Sequence, residues 1–101
     1  MEKRKPSFNL DAFKSVCGDP KSLGITRMAA KSAEAMGFGR AEICKVVRSI
    51  QPSYFYKSMT SFADRRKWQD VYHVPFEDMV LYVKFTDDVV LEFVVLSFKE
   101  R

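Results

Sequence analysis

The feature that most constrains the fold is a change in the spacing of apolar residues near the middle of the 101-residue chain. Before Tyr54 they recur at the spacing of amphipathic helices, and after it the chain consists of runs rich in β-branched and aromatic residues, which are typical of strands. Helices followed by strands predict an α+β fold, with N-terminal helices packed on an antiparallel β-sheet. A chain of this length has material for one core, so we expect a single domain covering residues 1–101.

Local signals divide the first half of the chain into helices. The first helix is predicted to begin after Asn9 or Asp11, either of which can cap it, and to end by Gly18–Pro20. The second covers Arg27–Met36, after the cap residue Thr26 and before the stop signal of Gly37. A third helix is indicated by a set of apolar residues at helical spacing that ends at a proline: Ile43, Val46, Val47, Ile50 and Pro52.

The second half of the chain is predicted to form an antiparallel meander. Its strands are expected at Tyr54–Phe62, Trp68–Val74, Met79–Thr86 and Val89–Lys99. Asp87 and Asp88 lie between the last two strands, where a tight hairpin turn is expected. The sheet is therefore expected to carry the functional site.

Positive charge is segregated along the chain. The net charge is +4, but residues 1–67 hold 14 Lys and Arg against 6 Asp and Glu, whereas residues 68–101 hold 3 against 7. An excess of this kind favours an anionic partner, although many ordinary proteins also show it. The N-terminal segment, with Lys3, Arg4 and Lys5, forms a basic arm.

Other features bound the chemistry and the location. Cys17 and Cys44 form no CxxC pair and His73 is the only histidine, so we expect no zinc site, no other metal, no cofactor and two reduced thiols with at least one buried. No signal peptide and no apolar run of about 20 residues is present, so we expect a cytoplasmic protein without membrane contact.

The commonest hydrolytic arrangements are absent from the sequence. One histidine excludes a two-histidine acid/base pair, and we find no nucleophile elbow and no phosphate-binding glycine loop. Basic and aromatic residues are instead interleaved in the strands and one loop: Tyr56, Lys57, Arg65, Arg66, Lys67, Trp68, Gln69, Tyr72, Tyr82, Lys84 and Lys99. Such a pattern suits single-stranded RNA, whose phosphates attract cations and whose unstacked bases stack on aromatic rings.

The same residues also fit purely structural roles. Aromatic residues in strands usually belong to the core, and the basic run Arg65–Lys67 is most simply a solvent-exposed turn. A lone histidine such as His73 is more often a surface or hydrogen-bonded residue than a catalytic one.

Five segments carry a more specific signal. They are the opening MEKRKP, FYKSMTSF at 55–62, WQDVY at 68–72, YVK at 82–84 and the C-terminal LSFKER. In order, wording and spacing they resemble the MqsR (motility quorum-sensing regulator) toxin family over nearly the whole chain. The resemblance implies a fold similar to the RelE-like mRNA interferases and metal-independent endoribonuclease activity on single-stranded mRNA. It also implies cleavage at GC-containing triplets, GCU above all, and neutralisation by a cognate antitoxin.

Motif by motif, the resemblance also implies site residues. The proposed catalytic residues of the family fall on Lys57, Gln69, Tyr82 and Lys99. The stretch from Tyr82 to Lys99, which includes Asp87 and Asp88, is slightly longer than the family pattern. The candidate substrate-binding residues are Tyr56, Met59, Arg65, Arg66, Lys67, Tyr72 and Lys84.

RNA cleavage of this kind needs a base for the 2′-hydroxyl, an acid for the leaving 5′-oxygen and charge stabilisation at phosphorus. We hypothesise that Tyr82 or a lysine of lowered pKa transfers a proton, and that Lys57 and Lys99, if they converge, lower each other's pKa. Gln69 is expected to orient the phosphate or a base edge by hydrogen bonds. The sequence leaves the assignment of base and acid open.

Two other functions use the same features. A non-catalytic RNA- or DNA-binding module would use the basic and aromatic surface for affinity alone. An interaction protein would pair a sheet edge or a helical face with another chain.

Overall fold

The structure, a computed structural model, describes all 101 residues and contains three helices and a five-stranded antiparallel sheet, which confirms the predicted α+β fold. The helices are α1 (Leu10–Cys17), α2 (Arg27–Ala35) and α3 (Arg40–Ser49). The strands are β1 (Glu2–Lys3), β2 (Phe55–Thr60), β3 (Trp68–Phe76), β4 (Met79–Asp88) and β5 (Glu92–Glu100). A single 3-10 turn, Pro52–Tyr54, connects α3 to β2.

Side-chain caps fix the beginnings of the first two helices. The Asn9 side chain accepts a hydrogen bond from the backbone N–H of Ala12 at 2.8 Å, so Asn9 is the cap of α1 and Asp11 lies inside the helix. The Thr26 hydroxyl accepts from Ala29 N–H at 3.2 Å, as predicted for α2. Gly37 adopts a φ of 86° just beyond the end of α2, where a glycine is favoured.

The strands form a meander in the order β1-β2-β3-β4-β5. Its first strand was not predicted, because two residues of a basic arm carry no strand signal. Glu2 lies opposite Met59 and Lys3 opposite Ser58. The chain beyond β1 is fixed by Asp70, whose buried carboxylate accepts the backbone N–H groups of Ser7 (3.0 and 3.1 Å) and Phe8 (3.0 Å).

The last hairpin corrects one prediction. Asp87 and Asp88 are not the turn but the end of β4, and the turn consists of residues 89–91. The Asp88 carboxylate accepts the backbone N–H groups of Val90 at 3.1 Å and Leu91 at 2.8 Å. An aspartate that precedes a turn can accept hydrogen bonds from the backbone of the turn residues. This acidic pair therefore marks the end of the strand and not the turn itself.

The core lies between the helices and one face of the sheet. Because side chains alternate along a strand, one set of strand residues is buried on this covered face; it consists of Tyr72, Val74, Leu81, Val83, Phe85, Phe93, Val95 and Phe98. The Phe13 ring of α1 stacks on Phe85 with centroids 3.6 Å apart. The opposite side of the sheet, which we call the open face, carries the alternate residues.

No helix of the protein is both long enough and apolar enough to cross a membrane.

Candidate active site

The register of the sheet brings the polar strand residues together on the open face. His73 of β3 lies opposite Tyr82 of β4, and Tyr82 lies opposite Lys99 of β5. In the adjacent row, Lys84 of β4 lies between Val71 and Ser97. Directly opposed residues of antiparallel strands share a face, so these groups from three strands form one surface.

Strand β2, which pairs with β3 on the side away from β4, extends this surface. Lys57 lies opposite Val71 and therefore joins the row of Lys84, and Met59 lies opposite Gln69. All four predicted catalytic residues, Lys57, Gln69, Tyr82 and Lys99, thus project from the open face, and so do Met59 and Lys84 among the predicted substrate-binding residues. Their placement is an observation, whereas their roles stay predictions.

Two β-bulges set which residues reach the open face. In β2, Phe55 and Lys57 pair with the adjacent residues Tyr72 and Val71, so Tyr56 is the extra residue. In β5, Val95 and Ser97 pair with adjacent residues of β4, so Leu96 is extra. The slightly long last hairpin is thereby accommodated, and Lys99 still lies opposite Tyr82.

Aromatic rings form a continuous band across the open face. Tyr56, which is 44% exposed, stacks on His73 with centroids 4.1 Å apart and an interplanar angle of 21°. His73 is tilted by 42° to Tyr82 at 5.9 Å. Lysine ammonium groups flank the band: Lys57 Nζ is 5.4 Å from the centre of the Tyr56 ring, and Lys99 Nζ is 5.2 Å from that of Tyr82.

The lysines differ in their protonation behaviour. Lys57 forms an ion pair with Glu2 at 2.6 Å, and this hydrogen bond raises its pKa. The expected lowering of the Lys57 pKa by Lys99 is not found, because the carboxylate of Glu2, from the unpredicted strand β1, outweighs the opposing effect of burial. The lysine whose pKa is lowered is Lys84, chiefly through burial and then through repulsion from Lys99 and Lys57.

Tyr82 is held in its protonated form. Burial raises its pKa above the usual value of 10, although the charge of Lys57 acts in the opposite direction. At neutral pH Tyr82 is thus a phenol that donates a hydrogen bond or a proton, and it cannot serve as a base.

Tyr72 is a core residue, which corrects its prediction as a substrate-binding group. It is 1% exposed, and its ring packs against Phe55 at 5.5 Å on the covered face. The reason is the alternation of the strand: Tyr72 lies between Val71 and His73, both of which point to the open face. Burial raises the pKa of Tyr72 to about 12.

The predicted basic cluster Arg65–Lys67 lies in the exposed loop between β2 and β3. Arg66 pairs there with Asp64 at 3.1 Å. Trp68, which follows the loop, is covered by Lys3, whose Nζ is 4.1 Å from the ring centre. Five residues of extended strand, about 17 Å, separate Trp68 from His73, so the loop borders the site at one end and does not enter it.

Two members of the site were missed or undervalued by the sequence analysis. Glu2 gave no signal, because nothing in the sequence showed that the N-terminal arm pairs with β2. His73 had a signal, since it directly follows the WQDVY motif and alternates with Gln69 and Val71.

The remaining nucleophiles and ligands lie apart from the site. Both cysteines are buried and free, which confirms that at least one is buried, and burial raises the pKa of each thiol. No three His, Cys, Asp or Glu side chains come together at a distance that would hold a metal ion.

Fold and site together define a small α+β protein whose open sheet face is cationic and aromatic. Comparison with known protein families gives a match over residues 5–100. The matching family is described as motility quorum-sensing regulator, toxin of MqsA. The chain is also 35% identical to the mRNA interferase toxin MqsR of Escherichia coli (strain K12) over 101 residues, with both chains covered completely. The chain therefore belongs to the MqsR toxin family.

Proposed function

We propose that this protein is a toxin that cleaves single-stranded mRNA and thereby inhibits translation and growth. The observation that carries the proposal is the convergence of three lysines, Lys57, Lys84 and Lys99, around Tyr82 on one sheet face. The name of the Escherichia coli relative, an mRNA interferase toxin, agrees with this chemistry.

Each group has a role that follows from its charge state. The 2′-oxygen of the RNA attacks the adjacent phosphorus, and the 5′-oxygen leaves. Tyr82, as a neutral phenol, donates a proton to the leaving oxygen, and the lysine cations stabilise the negative charge that builds on the phosphorane. Because these cations supply the stabilising charge, the mechanism we propose needs no metal ion. Gln69 orients the phosphate or a base edge.

The aromatic band supports a single-stranded substrate. Tyr56 is exposed beside Lys57, so an unstacked base can lie on its ring while the adjacent phosphate meets the ammonium group. A chain leaving this point along β3 reaches the basic loop Arg65–Lys67, about 17 Å away, which we propose as the contact for flanking phosphates. Preference for GC-containing triplets such as GCU is proposed from the family resemblance.

A cognate antitoxin is proposed as the protein partner, since the family is described as the toxin of MqsA. A nuclease that attacks mRNA would otherwise harm the cell that makes it. Loss of growth on expression, relieved by the antitoxin, is the expected behaviour.

The test is cleavage of a defined single-stranded mRNA by purified protein in EDTA, with fragment ends mapped by primer extension. We expect discrete cuts at GC-containing triplets, reduced about 100-fold or more in Tyr82→Phe, since a positioned proton donor contributes about 10² to 10⁴. Tyr72→Phe is the matched control, because it removes a hydroxyl from the covered face and should leave cleavage unchanged. Intact RNA that is nevertheless bound in a salt-sensitive way would show a non-catalytic binding module instead.

A further inference from the structure

We propose that His73 is a further catalytic residue, the general base that removes the proton from the attacking 2′-hydroxyl. The inference rests on the proposed function and assigns the role that the sequence left open. Its basis is the position of the ring, which lies between Tyr56 and Tyr82 in the row that ends at Lys99. Because His73 occupies one face of the Tyr56 ring, a base stacks on the exposed face, and the ribose attached to that base spans the distance past the ring edge to the imidazole.

The imidazole is free to act. Its ring is held by the 4.1 Å stack on Tyr56, yet neither ring nitrogen hydrogen-bonds to another protein group. No buried side-chain nitrogen or oxygen of the protein lacks a hydrogen-bond partner, so both nitrogens of His73 reach solvent. The side chain thus combines a fixed orientation with accessible proton-accepting atoms, which a general base needs.

The charges around His73 are almost all positive or neutral. Burial, then Arg101 and Lys57, lower its pKa below the usual 6.5. No carboxylate is among the groups that act on its pKa, and Glu2 of β1 is engaged by Lys57. On the open face, the titratable and charged groups around His73 are Glu2, Tyr56, Lys57, Tyr82, Lys84, Lys99 and Arg101, whereas Asp88 and Glu92 lie at the far end of β4 and β5.

The alternative bases are weaker candidates. The pKa values of Lys57 and Tyr82 are raised, so both stay protonated at neutral pH. The pKa of Lys84 is lowered, but a lysine begins about three units above neutrality, whereas a histidine begins at about 6.5. A histidine whose pKa is lowered from this value is neutral at pH 7 and can accept a proton.

The proposed step conserves protons and bonds. A neutral nitrogen of His73 takes the proton of the 2′-hydroxyl, a bond forms between O2′ and phosphorus, and the bond between phosphorus and O5′ breaks. O5′ takes the proton of Tyr82. The products are a 2′,3′-cyclic phosphate and a 5′-hydroxyl, and the imidazolium returns its proton through water to the Tyr82 phenolate.

The test compares wild type with His73→Gln and His73→Asn, which keep a hydrogen-bonding side chain without titration. For wild type we expect kcat/KM to rise with pH to a plateau, with a midpoint below 6.5 that equals the pKa of His73 measured by NMR, where a single histidine gives unambiguous signals. In both variants kcat/KM should fall about 10²- to 10⁴-fold, because proton transfer by a positioned base contributes that much. The rise of kcat/KM with pH should also disappear.

Binding separates a base from a stacking platform. RNA with a 2′-deoxy residue at the cleavage site cannot react, and we expect each folded variant to bind it within about threefold of wild type. If either folded variant cleaves RNA at near the wild-type rate and keeps the rise of kcat/KM with pH, the role of His73 is wrong but the proposed function stands. The same holds if a variant loses as much affinity for RNA as it loses rate, because His73 then serves binding. Intact RNA with wild type would overturn the proposed function as well.

Discussion

The two faces of the sheet are built from the same strands, but one packs in the core and the other carries the candidate site. On the covered face the strand residues are apolar, and Phe85 is fully buried under Phe13. On the open face, the preceding residue Lys84 is partly exposed among other lysines. Neighbouring residues of one strand thus belong to the core and to the site, and the phase of the alternation decides which.

Two tyrosines show the same division. Burial raises the pKa of both Tyr72 and Tyr82. Tyr72 packs in the core, whereas Tyr82 lies between His73 and Lys99 on the open face. Residue type alone therefore does not identify a functional aromatic residue in a strand.

The largest effect is expected from breaking the covered face. Phe85→Ala removes the ring that stacks on Phe13 and leaves a cavity, so the free energy of unfolding should fall by about 3–5 kcal/mol. Urea unfolding followed by circular dichroism measures it. A loss below about 1 kcal/mol would mean that this face does not hold the core.

Lys84→Ala is the matched control, one residue away on the opposite face. Its stability should change by about 1 kcal/mol or less, because the residue lies outside the core. Its affinity for RNA should fall, and the slope of that affinity against salt should decrease by about one, as for the loss of a single phosphate contact.

An intermediate effect is expected from Tyr72 at high pH. Its folded-state pKa of about 12 exceeds the ordinary value of 10, so its contribution is fully present below pH 10 and is lost as pH rises towards 12. Two units correspond to roughly 2–3 kcal/mol. Wild type should therefore lose more stability between pH 10 and 12 than Tyr72→Phe in parallel urea titrations. Equal slopes for the two proteins would contradict the burial of the phenol.

Much of the covered face was predictable from the sequence, because burial leaves a strong pattern. The helices were found from their caps and apolar spacing, and the cap residue Thr26 behaves as expected. The strands were found from β-branched and aromatic runs. The bounds shifted where side-chain chemistry outweighs propensity, as at Asp88, whose carboxylate closes the turn after it.

The open face was predictable only in part. The motif resemblance located Lys57 and Tyr82, but it gave no information on the neighbours that set their protonation. The bulge at Tyr56 depends on pairing between β2 and β3, and the contact of Glu2 with Lys57 joins residues 55 positions apart. Long-range pairing of this kind leaves no periodic signal in a sequence.

The smallest effect is expected at the rim of the open face, from Glu2→Gln. The pair with Lys57 lowers the pKa of Glu2, so its contribution is present above pH 4.5 and is lost as pH falls through the lowered value. Because the Glu2 side chain is 59% exposed, salt screens the pair and no measurable loss of stability is expected at neutral pH.

The variant should instead affect RNA binding, because Glu2 competes with a phosphate for Lys57. We expect Glu2→Gln to lower the KM for RNA about twofold at low salt, with the gain shrinking as salt is added. Lys57→Gln in the same background is the control, since it should abolish the gain. A Glu2→Gln variant that binds RNA more weakly than wild type would show that the carboxylate positions Lys57 for the substrate and does not compete with it.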